Sequence, residues 1–478
     1  MINSKEYYTG LFSVGEEEME KLIATAMEDG GDYADLYFEH TSYRDLLLRD
    51  GSVSSGGFHV DYGVGIRTLK GEKTGYAYSE STEFSAMNEA AKAAAAISRG
   101  VRIESETRPT VPFHGRPNPA ADRYPMVTDW RGCGTEAFVP VLNRLEELIR
   151  GKDSRVSKVI GMLSTSVSDI MMYNSHAELK YDTRPMGTLA VSVVFSDGHT
   201  VRNAHCSRSF RMGAEMLTDE LLEELASLAV RNLDDRFAAV RPRGGKMPVV
   251  MGAGSSGILL HEAMGHAFEA DFNRKGQSVF ADRMGQKICA GNINIVDDAT
   301  IKGNRGSLNF DDEGVPGQKT YMVTDGVLTS YLHDRISADW YGVRPTGNGR
   351  RESFRYNPVP RMRATYMENG DARPEDIIAS VKKGVYVDEF SNGQVKIGEG
   401  DFTFYVKSGY LIENGALTRP IKDINIIGNG PQALADIVAV GNDSRVDDAA
   451  WTCGKEQNVP VMCGMPTVLV SSLTVGGN

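Results

Sequence analysis

Two histidines and a glutamate lie within one short segment, His261-Glu262-Ala263-Met264-Gly265-His266. Imidazole nitrogens are common zinc ligands, and a carboxylate beside the ion can take a proton from an attacking water molecule. The segment therefore indicates hydrolysis assisted by a metal. In the familiar zinc-enzyme pattern, the two histidines are four residues apart and share one helical face. Here they are five residues apart, which is about 140° around an ideal helix.

Two such histidines can bind one ion only if the helix that carries them is locally widened. A π-helical turn would provide this, and Gly265 lowers the cost of the distortion. The predicted helix also has an apolar face for the core, and Glu262 points away from it. The apolar face consists of Leu260, Ala263, Met264 and Ala267. An alternative that the residues leave open is a core helix with hydrogen-bonded histidines.

A catalytic zinc usually has a third protein ligand. Cys453 ranks first among the candidates, because Gly454 and Lys455 follow it and a nearby cation favours the thiolate that binds metal. The apolar neighbours of Cys463 favour an inert buried thiol instead. The complete set of candidates is Glu269, Asp271, Cys289, Cys453 and Cys463.

Two further polar clusters could contact a substrate. Asp311-Asp312-Glu313-Gly314 could bind a hard cation or a peptide amine, although composition favours a solvated turn. Gly347-Asn348-Gly349-Arg350 could direct backbone amides and a guanidinium toward a carbonyl, although Asn-Gly is also an ordinary turn signal. The predicted substrate-binding residues are Asp312, Glu313, Asn348 and Arg350.

The elements that must position these residues do not alternate regularly between strand and helix. The sequence therefore predicts an α+β fold, in which an N-terminal mixed domain precedes a larger strand-rich C-terminal domain that carries the metal-site helix. Proline and glycine clusters mark the predicted boundaries. The predicted parts are residues 1–106, a proline-rich connector over 107–125, a middle region over 126–240, and the catalytic domain over 241–478.

Length and charge limit the classes of function. The 478 residues carry a net charge of −12, which disfavours broad binding to nucleic acid or to an anionic membrane surface. No basic and apolar secretory signal opens the chain, and no apolar run reaches the roughly 18 residues of a membrane span. The five scattered cysteines fit a reducing compartment, so we expect a cytoplasmic protein.

With these motifs in order along the chain, the sequence resembles the TldD/PmbA family, and specifically its TldD-like metalloproteases. The resemblance covers essentially the whole chain and is densest from 258 to 470. Its motifs are Leu260 to His266, Asp271-Phe272-Asn273-Arg274-Lys275-Gly276, Phe280-Ala281-Asp282-Arg283, Asp311-Asp312-Glu313-Gly314, Gly347-Asn348-Gly349-Arg350-Arg351 and Gly400-Asp401-Phe402.

The resemblance implies a metal-dependent peptidase that cleaves unfolded or extended peptides. It implies that His261, His266 and Cys453 bind Zn²⁺, or Fe²⁺, and that Glu262 is the general base. It also implies a dimer, either with a second copy or with a TldE/PmbA-like subunit, which lacks the histidine motif that this chain retains. The alternatives are a non-catalytic scaffold subunit of such a complex and a hydrolase of small amides.

Overall fold

The computed structural model describes residues 4–96, 122–396 and 398–477. Most of the predicted connector, residues 107–121, therefore lies outside the described residues. The helices of the described part are α1 Lys5–Phe12, α2 Glu16–Ala26, α3 Phe84–Ala95, α4 Val139–Lys152, α5 Asp219–Val230, α6 Leu233–Ala238, α7 Gly257–Leu260, α8 Ala270–Arg274, α9 Arg335–Tyr341, α10 Pro374–Ala379 and α11 Gly430–Ala435.

The strands outnumber the helices and include several that are longer than 15 residues. They are β1 Tyr33–Arg49, β2 Ser52–Lys70, β3 Lys73–Ser79, β4 Val156–Asn174, β5 Leu179–Ser196, β6 Val201–Phe210, β7 Gly245–Met251, β8 Ile295–Asp298, β9 Lys319–Thr324, β10 Val327–Leu328, β11 Gly349–Arg350, β12 Val359–Pro360, β13 Ala364–Met367, β14 Lys383–Val395, β15 Asp401–Glu413, β16 Ala416–Ile421, β17 Ile424–Asn429, β18 Ile437–Val440, β19 Arg445–Val446, β20 Thr452–Lys455, β21 Gln457–Pro460, β22 Met462–Met465 and β23 Val468–Gly476.

The first six strands form one antiparallel sheet in the order β3-β2-β1-β4-β5-β6. The β1–β2 hairpin turns at Asp50 and Gly51, whose φ angles of 47° and 76° match the left-handed turn that joins twisted strands. Strands from residues 1–106 and from residues 126–240 are neighbours in this sheet, through the pair β1 and β4. The division between those two segments stays a prediction.

Two groups of helices lie side by side on one face of this sheet, and each group packs around its own hydrophobic core. Helices α1, α2 and α3 pack on Leu36 and Phe38 of β1. Helices α4 and α5 pack on the other end of the strand, at Leu46 and Leu48. All four strand positions are even-numbered, so they lie on the same side of β1. The opposite side of β1 faces the C-terminal residues, where Tyr37 packs against Phe310 and Phe354.

The C-terminal part contains two larger sheets. One has the order β10-β9-β8-β13-β22-β19, and the other has the order β14-β7-β23-β17-β15-β16. An additional pairing of β14 with β15 closes five strands of the second sheet into a ring. Leu260, Met264 and Phe268 belong to the same core as Val385 and Phe404 of this ring. The predicted α+β class, with a strand-rich C-terminal part that carries the metal-site helix, is confirmed.

No helix among the described residues combines the length and the apolar character that crossing a membrane requires.

Candidate metal centre

The helix that carries the two histidines changes its winding at the motif. It begins as α7, becomes a π-helix at His261–Gly265, and ends as a 3₁₀ turn at His266–Phe268. The N–H of His266 donates to the carbonyl of His261, five residues earlier, and the two ring centroids lie 5.2 Å apart. The π turn that the five-residue spacing predicts is confirmed.

Gly265 and Gly257 let this helix lie close to its neighbours. A Cβ at Gly265 would lie 2.2 Å from Sδ of Met362, and a Cβ at Gly257 would lie 2.4 Å from the amide nitrogen of Gly464. Neither contact is sterically possible without movement. Glycine at these positions therefore has a packing role, in addition to lowering the cost of the π turn.

Cys453 reaches the histidines from a hairpin formed by β20 and β21. Its Sγ lies 3.3 Å from Nε2 of His266. One potential ligand atom from each of His261, His266 and Cys453 lies within 4.8 Å of the other two, and all three residues are buried. Within the described residues, no other three histidine, cysteine, aspartate or glutamate side chains come together in this way. Residues 187 positions apart in the chain thus converge.

The three side chains suit a divalent ion of the zinc type. Both ring nitrogens of His261 are buried, and neither meets hydrogen-bond geometry with any described residue. A buried polar atom without a partner is costly, and a bound cation would remove that cost at the one ring nitrogen that binds it. Two imidazoles and a thiolate are also a donor set that zinc accepts.

The electrostatics around Cys453 favour the thiolate. Burial alone would raise the pKa of its thiol, but the adjacent imidazoles of His261 and His266 outweigh burial and lower the pKa to about 4. Burial raises the pKa of Cys289 to about 12, and it raises the pKa of Cys463 well above its ordinary value. Of these three buried thiols, Cys453 is the one whose surroundings favour the thiolate, the form that binds metal.

Glu269 holds the ring of His266 instead of joining the ligand cluster. Its Oε2 lies 2.9 Å from Nδ1 of His266 and 3.1 Å from Nζ of Lys455. Burial alone would raise the pKa of Glu269, but Lys455 and His266 lower it to about 2. Asp271, another candidate ligand, lies 2.8 Å from the same ammonium.

Glu262 is the least buried of the motif residues. Its side chain is 27% exposed, and its Oε2 lies 3.9 Å from Nε2 of His266. The apolar side chains on the opposite face, including Leu260 and Met264, are almost completely buried. The predicted orientation of Glu262 away from the core is confirmed, and it leaves a carboxylate beside the cluster with access to solvent.

The acidic cluster at residues 311–314 is buried, so the expectation of a solvated turn is wrong. Asp312 accepts hydrogen bonds from Nη1 of Arg184 at 2.5 Å and from the amide of Arg351 at 2.9 Å. Glu313 accepts from Nη1 of Arg67 at 2.6 Å. These carboxylates join the N-terminal sheet to the C-terminal part. Their arginine partners are distant in sequence, which is why local composition did not reveal the burial.

Asn348 and Arg350 are buried as well and make contacts within the chain. Asn348 donates to Oδ2 of Asp297 at 2.7 Å. Arg350 donates to the carbonyls of Met362 at 2.5 Å and Pro460 at 2.8 Å, and Pro460 lies in β21. The structure thus places Arg350 behind the hairpin that carries Cys453. A role for these two residues in substrate binding stays a prediction.

Arg361 was not singled out in the sequence, yet it supports the same hairpin. It is completely buried, and it donates to the carbonyl of Cys453 at 2.7 Å and to that of Gln457 at 2.8 Å. Backbone carbonyls are available at any residue, so no side-chain motif indicates such a partner.

A cavity of about 990 Å³ lies between the N-terminal sheet and the C-terminal part. Its lining includes Asn203 to Arg208 of β6, which is an edge strand of that sheet. The lining extends to Ser255, just before α7, and to Trp451, two residues before Cys453. The cavity therefore connects an edge strand with the segments that flank the metal-ligand candidates.

Comparison with known proteins places these features in a family. Models for the first, central and C-terminal domains of PmbA/TldA metallopeptidases match residues 34–98, 134–236 and 244–477. A metalloprotease TldD homolog of Haemophilus influenzae is 38% identical over 455 residues, which are 93% of each chain. A metalloprotease of Methanothermobacter thermautotrophicus is 31% identical over 462 residues, covering 95% of this chain and 98% of that one.

A solved structure has the same fold. TldE from Thermococcus kodakarensis superposes with a TM-score of 0.74 at 20% identity, covering 96% of this chain and all of that one. With three domain models matched in order and relatives aligned over nearly their full length, this chain belongs to the PmbA/TldD family.

Proposed function

We propose that the protein is a metal-dependent peptidase that cleaves unfolded or extended peptides in the cytoplasm. The observation that carries this proposal is the convergence of His261, His266 and Cys453, with a carboxylate beside them. Relatives over nearly the full length are named metalloproteases, which supports the same class of reaction.

His261, His266 and Cys453 would hold the ion, which we propose is Zn²⁺, with Fe²⁺ as the alternative. A zinc ion there would supply Lewis-acid polarisation of a peptide carbonyl and would acidify a water molecule. A single thiolate among the ligands leaves part of the positive charge of the ion uncompensated. Glu269 fixes the ring of His266 through Nδ1, so that Nε2 faces Cys453.

Glu262 is the proposed general base. Its partly exposed carboxylate can accept a proton from the attacking water and can then donate it to the departing amine. Its neighbour His266 is held by Glu269 and therefore is not free to take this role. The division of roles follows from which side chains are already engaged.

The cavity beside β6 is an argument that the substrate is an extended peptide. An edge strand can bind a peptide by main-chain pairing, which requires the peptide to be unfolded. Residues Asn203 to Arg208 of β6 line the cavity that extends toward Trp451. We further propose that the protein works as a dimer, with a second copy or with a TldE/PmbA-like subunit.

The test uses Glu262→Gln and the matched control Glu368→Gln, because both native side chains are 27% exposed. Cleavage of unstructured peptides of graded length is measured together with the zinc content of each protein. We expect wild type and Glu368→Gln to bind about one ion per chain and to cleave the longer peptides. Glu262→Gln should keep the ion and lose at least about 100-fold in rate.

Undiminished cleavage by Glu262→Gln would refute the assignment of the base. A wild-type protein without bound metal would instead favour a scaffold subunit. Equal rates on small amides and on long peptides would favour a small-amide hydrolase.

A further inference from the structure

The hairpin that carries Cys453 is attached to the chain segment just after the histidine helix by a buried ammonium group. Nζ of Lys455 lies 2.8 Å from Oδ1 of Asp271, 3.1 Å from Oε2 of Glu269, and 3.1 Å from the carbonyl of Pro360. Lys455 is 7% exposed and Glu269 is completely buried. A buried lysine that contacts two carboxylates is a strong constraint on where its strand can lie.

Lys455 and Cys453 lie on the same face of β20. Burial alternates along this strand, with Thr452 and Gly454 exposed and Cys453 and Lys455 buried. Residues two apart in a strand point to the same side. Holding the lysine against Glu269 and Asp271 therefore also directs the thiol toward the histidine helix.

The same carboxylate contacts both the lysine and a histidine. Oε2 of Glu269 lies 2.9 Å from Nδ1 of His266, whose Nε2 lies 3.3 Å from the thiol of Cys453. Glu269 follows the 3₁₀ turn and Asp271 lies in α8, so both acids belong to the chain segment just after the motif. The contacts of Glu269 and Asp271 thus orient His266 on the histidine helix and Cys453 on the β20–β21 hairpin.

We propose that Lys455, Glu269 and Asp271, here called the Lys455 clamp, hold Cys453 against His266 before any metal binds. Lys455 and Glu269 are in this view positioning residues. The proposal deepens the proposed function and rests on it in one respect, that the three nearby side chains are the metal ligands. A preorganised site binds its ligand more tightly because less order is lost on binding.

Removing the ammonium should release the hairpin. Lys455→Met leaves two buried carboxylates without their cation, and breaking a buried ion pair is strongly destabilising. The backbone contacts of Arg361 to Cys453 and Gln457 remain in this variant. We therefore expect local displacement of the β20–β21 hairpin and not loss of the fold.

The first measurement needs no metal. Metal-free wild type, Lys455→Met and the control Lys319→Met are treated with iodoacetamide, and alkylation of each cysteine is followed by mass spectrometry. Lys319 also contacts a carboxylate, that of Glu368, but it lies on β9 in a different sheet. We expect alkylation of Cys453 to be at least about tenfold faster in Lys455→Met. The buried Cys463 is the internal reference and should not change.

The second measurement is zinc affinity, obtained by competition with a chromogenic chelator. Lys455→Met should bind zinc about 10–100-fold more weakly than wild type, as loss of a residue behind a metal ligand typically does. Glu269→Gln retains an acceptor for His266 and should lose less affinity than Glu269→Ala. This difference would not arise if Glu269 only filled space.

Several outcomes would overturn the clamp. One is that folded Lys455→Met keeps the wild-type rate of Cys453 alkylation and the wild-type zinc affinity. Another is that alkylation becomes faster by the same factor at Cys453 and at Cys463. A third is that Glu269→Gln loses as much zinc affinity as Glu269→Ala. If Lys455→Met fails to fold, Glu269→Gln replaces it in the alkylation experiment. A further outcome separates the two proposals. If the wild type binds no zinc, but alkylation of Cys453 is faster in Lys455→Met than in the wild type, the clamp is supported and the metal site of the proposed function is rejected.

Discussion

Cys453 and Cys463 are both buried, yet their pKa values shift in opposite directions. Burial raises the pKa of Cys463, and the charges of Asp447 and Glu262 raise it further. At Cys453 burial also raises the pKa, but two imidazoles outweigh it and lower the pKa to about 4. The surroundings of Cys453 therefore favour the thiolate, which is the form that binds metal, and those of Cys463 favour the neutral thiol.

This difference predicts opposite effects of two matched substitutions. Cys453→Ala should abolish stoichiometric zinc binding, whereas Cys463→Ala should leave about one ion per chain, because a buried thiol acts as a small apolar side chain. Zinc content by atomic emission, measured after dialysis, distinguishes the two variants. Retention of the ion in Cys453→Ala would remove the thiolate from the ligand set.

At the scale of elements, the π turn is what allows the two histidines to meet. An α-helix would separate residues five apart by about 140°, so their rings could not bind a common ion. The N–H of His266 instead pairs with the carbonyl of His261. The turn is packed closely against Met362 at the glycine that precedes His266. Its geometry therefore depends on the absence of a side chain there.

Gly265→Ala tests this dependence. The new Cβ would meet Sδ of Met362, so we expect a loss of about 1–3 kcal/mol in the free energy of unfolding and weaker zinc binding. Urea denaturation and chelator competition measure the two effects. The double substitution Gly265→Ala/Met362→Ala should recover zinc affinity, because it removes the obstructing sulfur.

The control for this prediction is Gly151→Ala in α4, where nothing lies within 4 Å of the added Cβ. Alanine is a better helix former than glycine, so this variant should be unchanged or slightly more stable. If Gly265→Ala behaved like the control, close packing at the π turn would not constrain the site.

At the scale of the whole molecule, buried acidic groups join the N-terminal sheet to the C-terminal part. Glu39 of β1 accepts a hydrogen bond from the amide of Phe354 at 2.7 Å, across 315 residues of sequence. Burial raises the pKa of Glu39 to about 7, although hydrogen bonds from Thr41 and Phe354 oppose the shift. Between pH 4.5 and about pH 7, Glu39 is therefore more protonated in the folded protein than in the unfolded chain.

The sign of the resulting pH dependence follows from this shift. Because the folded pKa is the higher one, the stabilisation is fully present below the unfolded pKa of 4.5 and is lost as the pH rises through about 7. Glu39→Gln mimics the protonated form. The variant should thus be more stable than wild type near pH 8, by on the order of 3 kcal/mol, and similar to it near pH 4.

Urea unfolding of both proteins at several pH values measures this effect. Parallel stability curves for wild type and Glu39→Gln would contradict the prediction. The control is Glu368→Gln, whose native carboxylate is partly exposed and paired with Lys319. This substitution removes only a partly exposed ion pair, so the control should gain no stability over wild type as the pH rises.

The arrangement of the histidine motif was largely predictable from the sequence, because it depends on local spacing. The histidine separation and the apolar face of the helix indicated a widened turn with Glu262 on the open side. Cys453 stood out because Lys455 follows it. The contacts of Lys455 with Glu269 and Asp271 were not predictable, since they join segments about as far apart in sequence as the ligands themselves.

Only those parts of the fold that depend on contacts between residues close in sequence were predictable. The Asp50-Gly51 turn and the amphipathic helices can be read from neighbouring residues. The ring of five strands cannot, because β7 pairs with β14 and β23, which lie more than 100 residues later in the chain. The buried setting of Asp312 and Arg350 has the same origin, since it depends on partners supplied by distant segments.

The separation of the proposed metal ligands along the chain has a consequence for biosynthesis. His266 and Cys453 are 187 residues apart, and the thiol follows both histidines in the order of synthesis. A ribosome has to translate the whole stretch between them before the third donor becomes available. Polypeptides that stop short of Cys453 would lack one of the three proposed metal ligands, so we expect that a stalled nascent chain could not carry out the proposed hydrolysis.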